Sequence, residues 1–66
     1  MMTQIGIASG EILTLIEEKK RPVSFNEIQS RLENENELAF MSIGWLLREG
    51  HAHLVNKGTD RYLCAC

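Results

Sequence analysis

The sequence predicts a mainly α domain with a C-terminal β-hairpin, an α+β fold of three helices and two strands. Three observations carry that prediction. Residues 37–50, ELAFMSIGWLLREG, form the longest apolar run, hold the sole tryptophan and end in a glycine. Two earlier stretches, 5–20 and 25–32, repeat apolar residues at helical spacing. After residue 50 the pattern changes to alternation on either side of the turn-forming run Asn56-Lys57-Gly58-Thr59-Asp60.

Each element has its own chemistry. Ile5, Ala8, Ile12, Leu15 and Ile16 fall on one helical stripe, with Glu17, Glu18 and Lys20 mostly outside it. Gly6 and Gly10 weaken the start of this helix by about 1 kcal/mol each relative to alanine, which places its firm part at 11–20. Lys19, Lys20 and Arg21 complement the negative end of the helix dipole, and Pro22 stops the helix. Pro22-Val23 is too short for a strand but suits an extended bridge. Ser24 then serves as an N-cap, and Glu27, three residues later, completes a capping box. The second helix spans 25–32 and buries Phe25, Ile28 and Leu32. In the turn Glu33-Asn34-Glu35-Asn36, the asparagines are suited to cap the third helix. That helix directs Ala39, Phe40, Ile43, Leu46 and Leu47 toward a core. Leu38, Met41 and Trp45 form a second apolar stripe, flanked by Ser42, Glu49, Glu37, Arg48 and Gly44. Gly50 supplies the left-handed position that ends the helix. Strands at 51–55 and 61–65 complete the hairpin.

Composition narrows the function. A chain of 66 residues makes one domain, 1–66, near the lower limit for a self-sufficient core. Such a chain buries only about 60% of its unfolded surface, so a partner subunit would help. A net charge of −2 and a pI near 5.6 count against a dedicated nucleic-acid binder while leaving room for a local basic patch. The N-terminal run MMTQIGIASGE lacks the basic leader and apolar length of a signal peptide, and no run approaches the roughly 18 apolar residues of a membrane span. Cys64 and Cys66 are one residue apart, a ring so tight that a disulfide would be strained and would staple nothing. The expectation is a cytoplasmic protein with reduced thiols.

Helix, bridge, helix, turn, helix, hairpin is the order of a winged helix-turn-helix. The run Ile43-Gly44-Trp45-Leu46-Leu47-Arg48-Glu49-Gly50-His51-Ala52 resembles the GWLxREG signature of a small family of short, single-domain, mostly bacterial and archaeal winged-helix proteins. The likeness spans 5–63. It implies the fold and a DNA-binding label, and because one fold hosts many functions that label follows the fold rather than a demonstrated activity.

The residues themselves point elsewhere. A DNA-reading helix presents polar and basic side chains to base edges, and its neighbours supply cations to phosphates. Here Glu33, Glu35 and Glu37 line the approach to the third helix, and Leu38, Met41 and Trp45 face outward. Arg48, the helix's sole cation, sits at its far end. A compact apolar patch with an aromatic anchor has the composition of an interface core, and pairing with a twofold mate buries it most simply. The alternative is that Trp45 folds back to complete the monomer's own core. The leading expectation is a non-enzymatic homodimer contacting protein in a regulatory role through Leu38, Met41 and Trp45. The runner-up is a DNA-binding transcriptional regulator touching phosphates through Lys19, Lys20, Arg21, Arg48, Lys57 and Arg61. His51, His53, Cys64 and Cys66 could converge across the hairpin as a zinc set, but exposed histidines and tail thiols are the favoured reading, with no metal or other cofactor. No nucleophile–base pair, glycine-rich phosphate loop or ligand-sized pocket is expected, so neither an enzyme nor a small-molecule substrate is predicted.

Overall fold

The computed structural model describes residues 2–65, with the side chain of Met2 left aside. The order is α1 (Met2–Lys19), β1 (Val23–Ser24), α2 (Phe25–Arg31), α3 (Asn36–Arg48), β2 (Ala52–Lys57) and β3 (Asp60–Ala65). The predicted α+β class and winged helix-turn-helix order are both present. The three strands form one antiparallel sheet in the order β1-β3-β2. Ala52 through Lys57 pair with Ala65 back through Asp60, so the hairpin loop shortens to Gly58-Thr59, with Gly58 at φ 62°.

The core takes residues from all six elements: Ile12, Leu15, Ile16, Val23, Ile28, Ala39, Ile43, Leu46, Ala52 and Leu63. Removing each large aliphatic side chain from water contributes about 1.5–3 kcal/mol, and this burial offsets the chain entropy of so short a domain. Every member of the predicted α1 stripe is buried.

Several local expectations give way. α1 begins at Met2, so its glycine-bearing first half, expected to be the weaker, is helical as well. Buried Ile5 and Ala8 anchor the first turns, and Gly6 and Gly10 lie on exposed positions. The helix ends at Lys19, with Lys20 in the left-handed region at φ 54°, before Pro22 is reached. Val23-Ser24 is a true strand, with Val23 opposite Leu63 and Ser24 opposite Tyr62. Two residues suffice there because they satisfy backbone groups of β3 at its other edge while sealing Val23 into the core.

Ser24 forms the full predicted capping box. Its hydroxyl accepts from the Glu27 amide at 3.1 Å, and its own amide donates to a Glu27 carboxylate oxygen at 2.8 Å. α2 stops at Arg31, one residue short of the expected end, and buries only Ile28 fully. Phe25 and Leu32 are half-buried. The asparagines do not cap α3. Glu35 occupies the N-cap with no side-chain hydrogen bond, because Asn34 lies at φ 61° and closes α2 instead.

Candidate functional site

α3 is the organising element, and its buried arc is turned from the one hydrophobicity alone predicts. Ala39, Ser42, Ile43 and Leu46 are buried, whereas Phe40 is 52% exposed. Helical spacing alone places Ser42 beside the outer stripe and Phe40 in the core. α1 and α3 form the most extensive helix pair, and the buried arcs of the two carry small side chains, Ala8 and Ser9 on one, Ala39 and Ser42 on the other. Close helix approach takes serine and rejects phenylalanine. Phe40 turns to the rim and meets Phe25 in a tilted ring contact at 6.3 Å.

The outward side of α3 therefore carries Glu37, Phe40, Met41, Gly44, Trp45 and Arg48, spread over about 140° at roughly 100° per residue. Met41 is 41% and Trp45 36% exposed, so Trp45 is not sunk in the monomer core. Leu38 is the member of the predicted patch that departs from it. It is half-buried between two acid-lined clefts, one of about 280 Å³ with Gln4, Glu35, Glu37 and Met41, the other with Glu11, Arg31, Leu32, Glu33 and Glu35. Phe40 takes its place on the exposed face. The sequence held one signal for this: apolar residues ring most of α3, and a helix of that kind cannot bury all of them on one side.

The segment after Trp45 closes the helix. The His51 amide donates to the Leu46 carbonyl at 2.9 Å and the Gly50 amide to the Leu47 carbonyl at 3.2 Å. Gly50, at φ 75°, is the left-handed residue this Schellman closure requires. The His51 ring lies 5.6 Å from the Trp45 ring, tilted by 32°, supplying the side-chain contact that accompanies such closures. The run from Trp45 to His51 is thus a helix stop with an aromatic clasp.

Charge is distributed unevenly. Arg21 grips both oxygens of Glu27, at 2.7 and 3.2 Å, and also donates to the Pro22 carbonyl. The Arg21 guanidinium, followed by the Ser24 amide, lowers the Glu27 carboxyl from 4.5 to about 2. Arg31 bridges Glu11 and Glu18, and its hydrogen bond holds the Glu18 carboxyl below the usual range. Among the described residues Lys19, Lys20, Arg48, Lys57 and Arg61 make no ion pair, and Lys57 sits 5.7 Å over the Tyr62 ring. These cations do not form one stripe. Lys20 borders a cleft with Cys64 and Ala65, while Lys57 and Arg61 sit by the hairpin loop, about 13 Å away along β3.

His53 stands opposite Cys64 in the hairpin, one of the cross-strand pairs that a convergent set would need. His51 lies before β2 against Trp45, and Cys66 lies outside the described residues. Among the described residues no three histidine, cysteine or acidic side chains are grouped to hold a metal ion. No helix is long and apolar enough to cross a membrane among those residues.

Comparison with curated proteins and with solved structures finds no match. A family model described as a winged helix-turn-helix domain (DUF2582) matches residues 1–65. With the helix-turn-helix, the hairpin wing and that match together, the chain belongs to the DUF2582 family of winged helix-turn-helix domains.

Proposed function

We propose that this winged helix-turn-helix is a non-enzymatic binding module that acts as a homodimer, contacting protein through the outer side of α3 in a regulatory role. One observation carries the reading: Phe40, Met41 and Trp45, three large apolar side chains, stand exposed on one side of a single helix. Large aromatic and methionine side chains are the residues enriched where interfaces are driest. The electrostatics support it. Glu33, Glu35 and Glu37 are exposed at the entry to α3, where phosphates would meet a DNA-reading helix, and Arg21 and Arg31 are held by carboxylates. Repulsion there opposes the contacts that dominate nucleic-acid affinity.

Sedimentation of wild type and Trp45→Glu tests the reading. Wild type sediments as a dimer at micromolar concentration and the variant as a folded monomer. A variant that remains dimeric removes Trp45 from the interface.

A DNA-binding role is the second reading, favoured by Lys57 and Arg61 beside the wing loop, which make no ion pair among the described residues. It requires duplex binding that weakens steeply with salt. The homodimer reading expects no binding at low salt and micromolar protein.

A further inference from the structure

We propose that the second copy docks on α3 in one orientation, antiparallel, about a twofold axis passing between Met41 and Gly44. This deepens the homodimer reading and rests on it. The outer side of α3 is arranged as a palindrome of complementary chemistry. Counted outward from that axis, Met41 meets the partner's Gly44 and Glu37 meets the partner's Arg48, while Phe40 and Trp45, about 140° apart on the helix, line opposite edges of the seam, each on the same edge as its own copy. Each pairing occurs twice by symmetry. A parallel arrangement would instead place Glu37 beside its own copy and Arg48 beside its own copy.

Gly44 supplies an independent reason. It is exposed in the middle of a helix, it is not among the glycines with positive φ, and a Cβ built there meets nothing within 4 Å. The monomer therefore has no use for a bare backbone at this position, and glycine weakens the helix that carries it. A second backbone approaching across the axis does have a use for it, because Gly44 leaves a recess for the partner's Met41 near the centre of the seam, with an aromatic edge on either side. Gly6 and Gly10 on α1 offer similar room beside Ile7, but among the described residues that face carries one exposed large apolar side chain and no opposed charges at matching distances. α3 combines room, aromatic anchors and charge pairing.

The test uses sedimentation equilibrium of the whole chain at low salt, with circular dichroism confirming that each variant is folded. Gly44→Leu raises the dimer dissociation constant about a hundredfold without loss of helix. Glu37→Arg and Arg48→Glu each raise it about tenfold, since each creates two like-charge contacts. The double variant E37R/R48E returns it to within about threefold of wild type. Single reversals that weaken the dimer with no recovery in the double variant overturn the antiparallel pairing. So does a dimer indifferent to Gly44→Leu and to both reversals, and if Trp45→Glu still disrupts that dimer, the broader α3 reading stands. A wild type that stays monomeric at the highest concentration overturns both, whether or not α3 then binds duplex DNA or a different protein.

Discussion

α2 and α3 are built from opposite halves of the same capping chemistry. α2 starts on a complete capping box between Ser24 and Glu27 and ends on a glutamate forced left-handed, Glu33 at φ 57°. α3 starts on Glu35, which offers no side-chain hydrogen bond, and ends on Gly50, which adopts φ 75° without steric cost. Both helices finish in the same pair of backbone bonds. In α2 the Asn34 amide reaches the Gln29 carbonyl at 2.7 Å and the Glu33 amide reaches Ser30 at 3.1 Å, matching the closure made by His51 and Gly50. The weak end of one helix thus abuts the weak start of the next. The turn of the helix-turn-helix is held by the packing of Leu32 and Ala39 rather than by its own backbone preferences, and the acidic side chains cluster at that turn.

Breaking the strong end gives the largest effect. Gly50→Val places a β-branched side chain in the left-handed region and should cost about 2 kcal/mol or more, read from the urea midpoint at unchanged m-value. If valine is tolerated at no cost, the closure after Trp45 is not what holds α3 to β2.

Breaking the strong start comes next. Ser24→Ala should cost about 1 kcal/mol. The Glu27 half of the same box is visible through pH. Its carboxyl is depressed from 4.5 to about 2, so its contribution is fully present above about pH 4.5 and is lost as pH falls through about 2. Arg21 and Glu27 are both partly exposed, so solvent screening keeps the effect modest. Denaturation midpoints measured from pH 5 to pH 2 should fall for wild type and fall less for Glu27→Gln. Parallel curves would mean that the Arg21–Glu27 pair contributes nothing.

The contrast also explains what the chain made legible beforehand. Signals carried within one element or its end survived: the Ser24–Glu27 box, Gly50 as a helix stop and the α1 stripe. Apart from the asparagine cap, lost because Asn34 closes α2, what failed depended on a neighbour distant in sequence. α3 turns the small side chains of Ala39 and Ser42 inward, as α1 does Ala8 and Ser9, so Ser42 is inside and Phe40 outside although hydrophobicity argues the reverse. β1 exists because β3 has an edge to satisfy, which two residues in isolation do not announce. The candidate surface was legible in Met41 and Trp45, while exchanging Leu38 for Phe40 required knowing that rotation.

Repairing the weak junction sharpens the comparison from the other side. Glu33→Gly removes the left-handed strain on a residue with a Cβ, and part of the gain is returned as unfolded-state entropy. A net stabilisation of about 0.5–1 kcal/mol is expected by urea unfolding. Destabilisation would show that the Glu33 side chain holds the turn in a way its backbone angle conceals.

The smallest effect belongs to the start of α3. Glu35→Ser supplies a hydroxyl where α3 has no side-chain cap, yet the gain should be about 0.5 kcal/mol or less. Ser24 caps α2 from extended backbone at ψ 158°, whereas Glu35 sits at ψ 81°, which aims a short side chain away from the first free amides. A gain equal to the full loss in Ser24→Ala would show that the turn rotates readily to accept a cap. The junction between the two helices would then be soft, and a partner seated on Phe40 and Met41 could order it on binding. A gain near zero means that packing fixes the turn, and the surface of α3 meets its partner already formed.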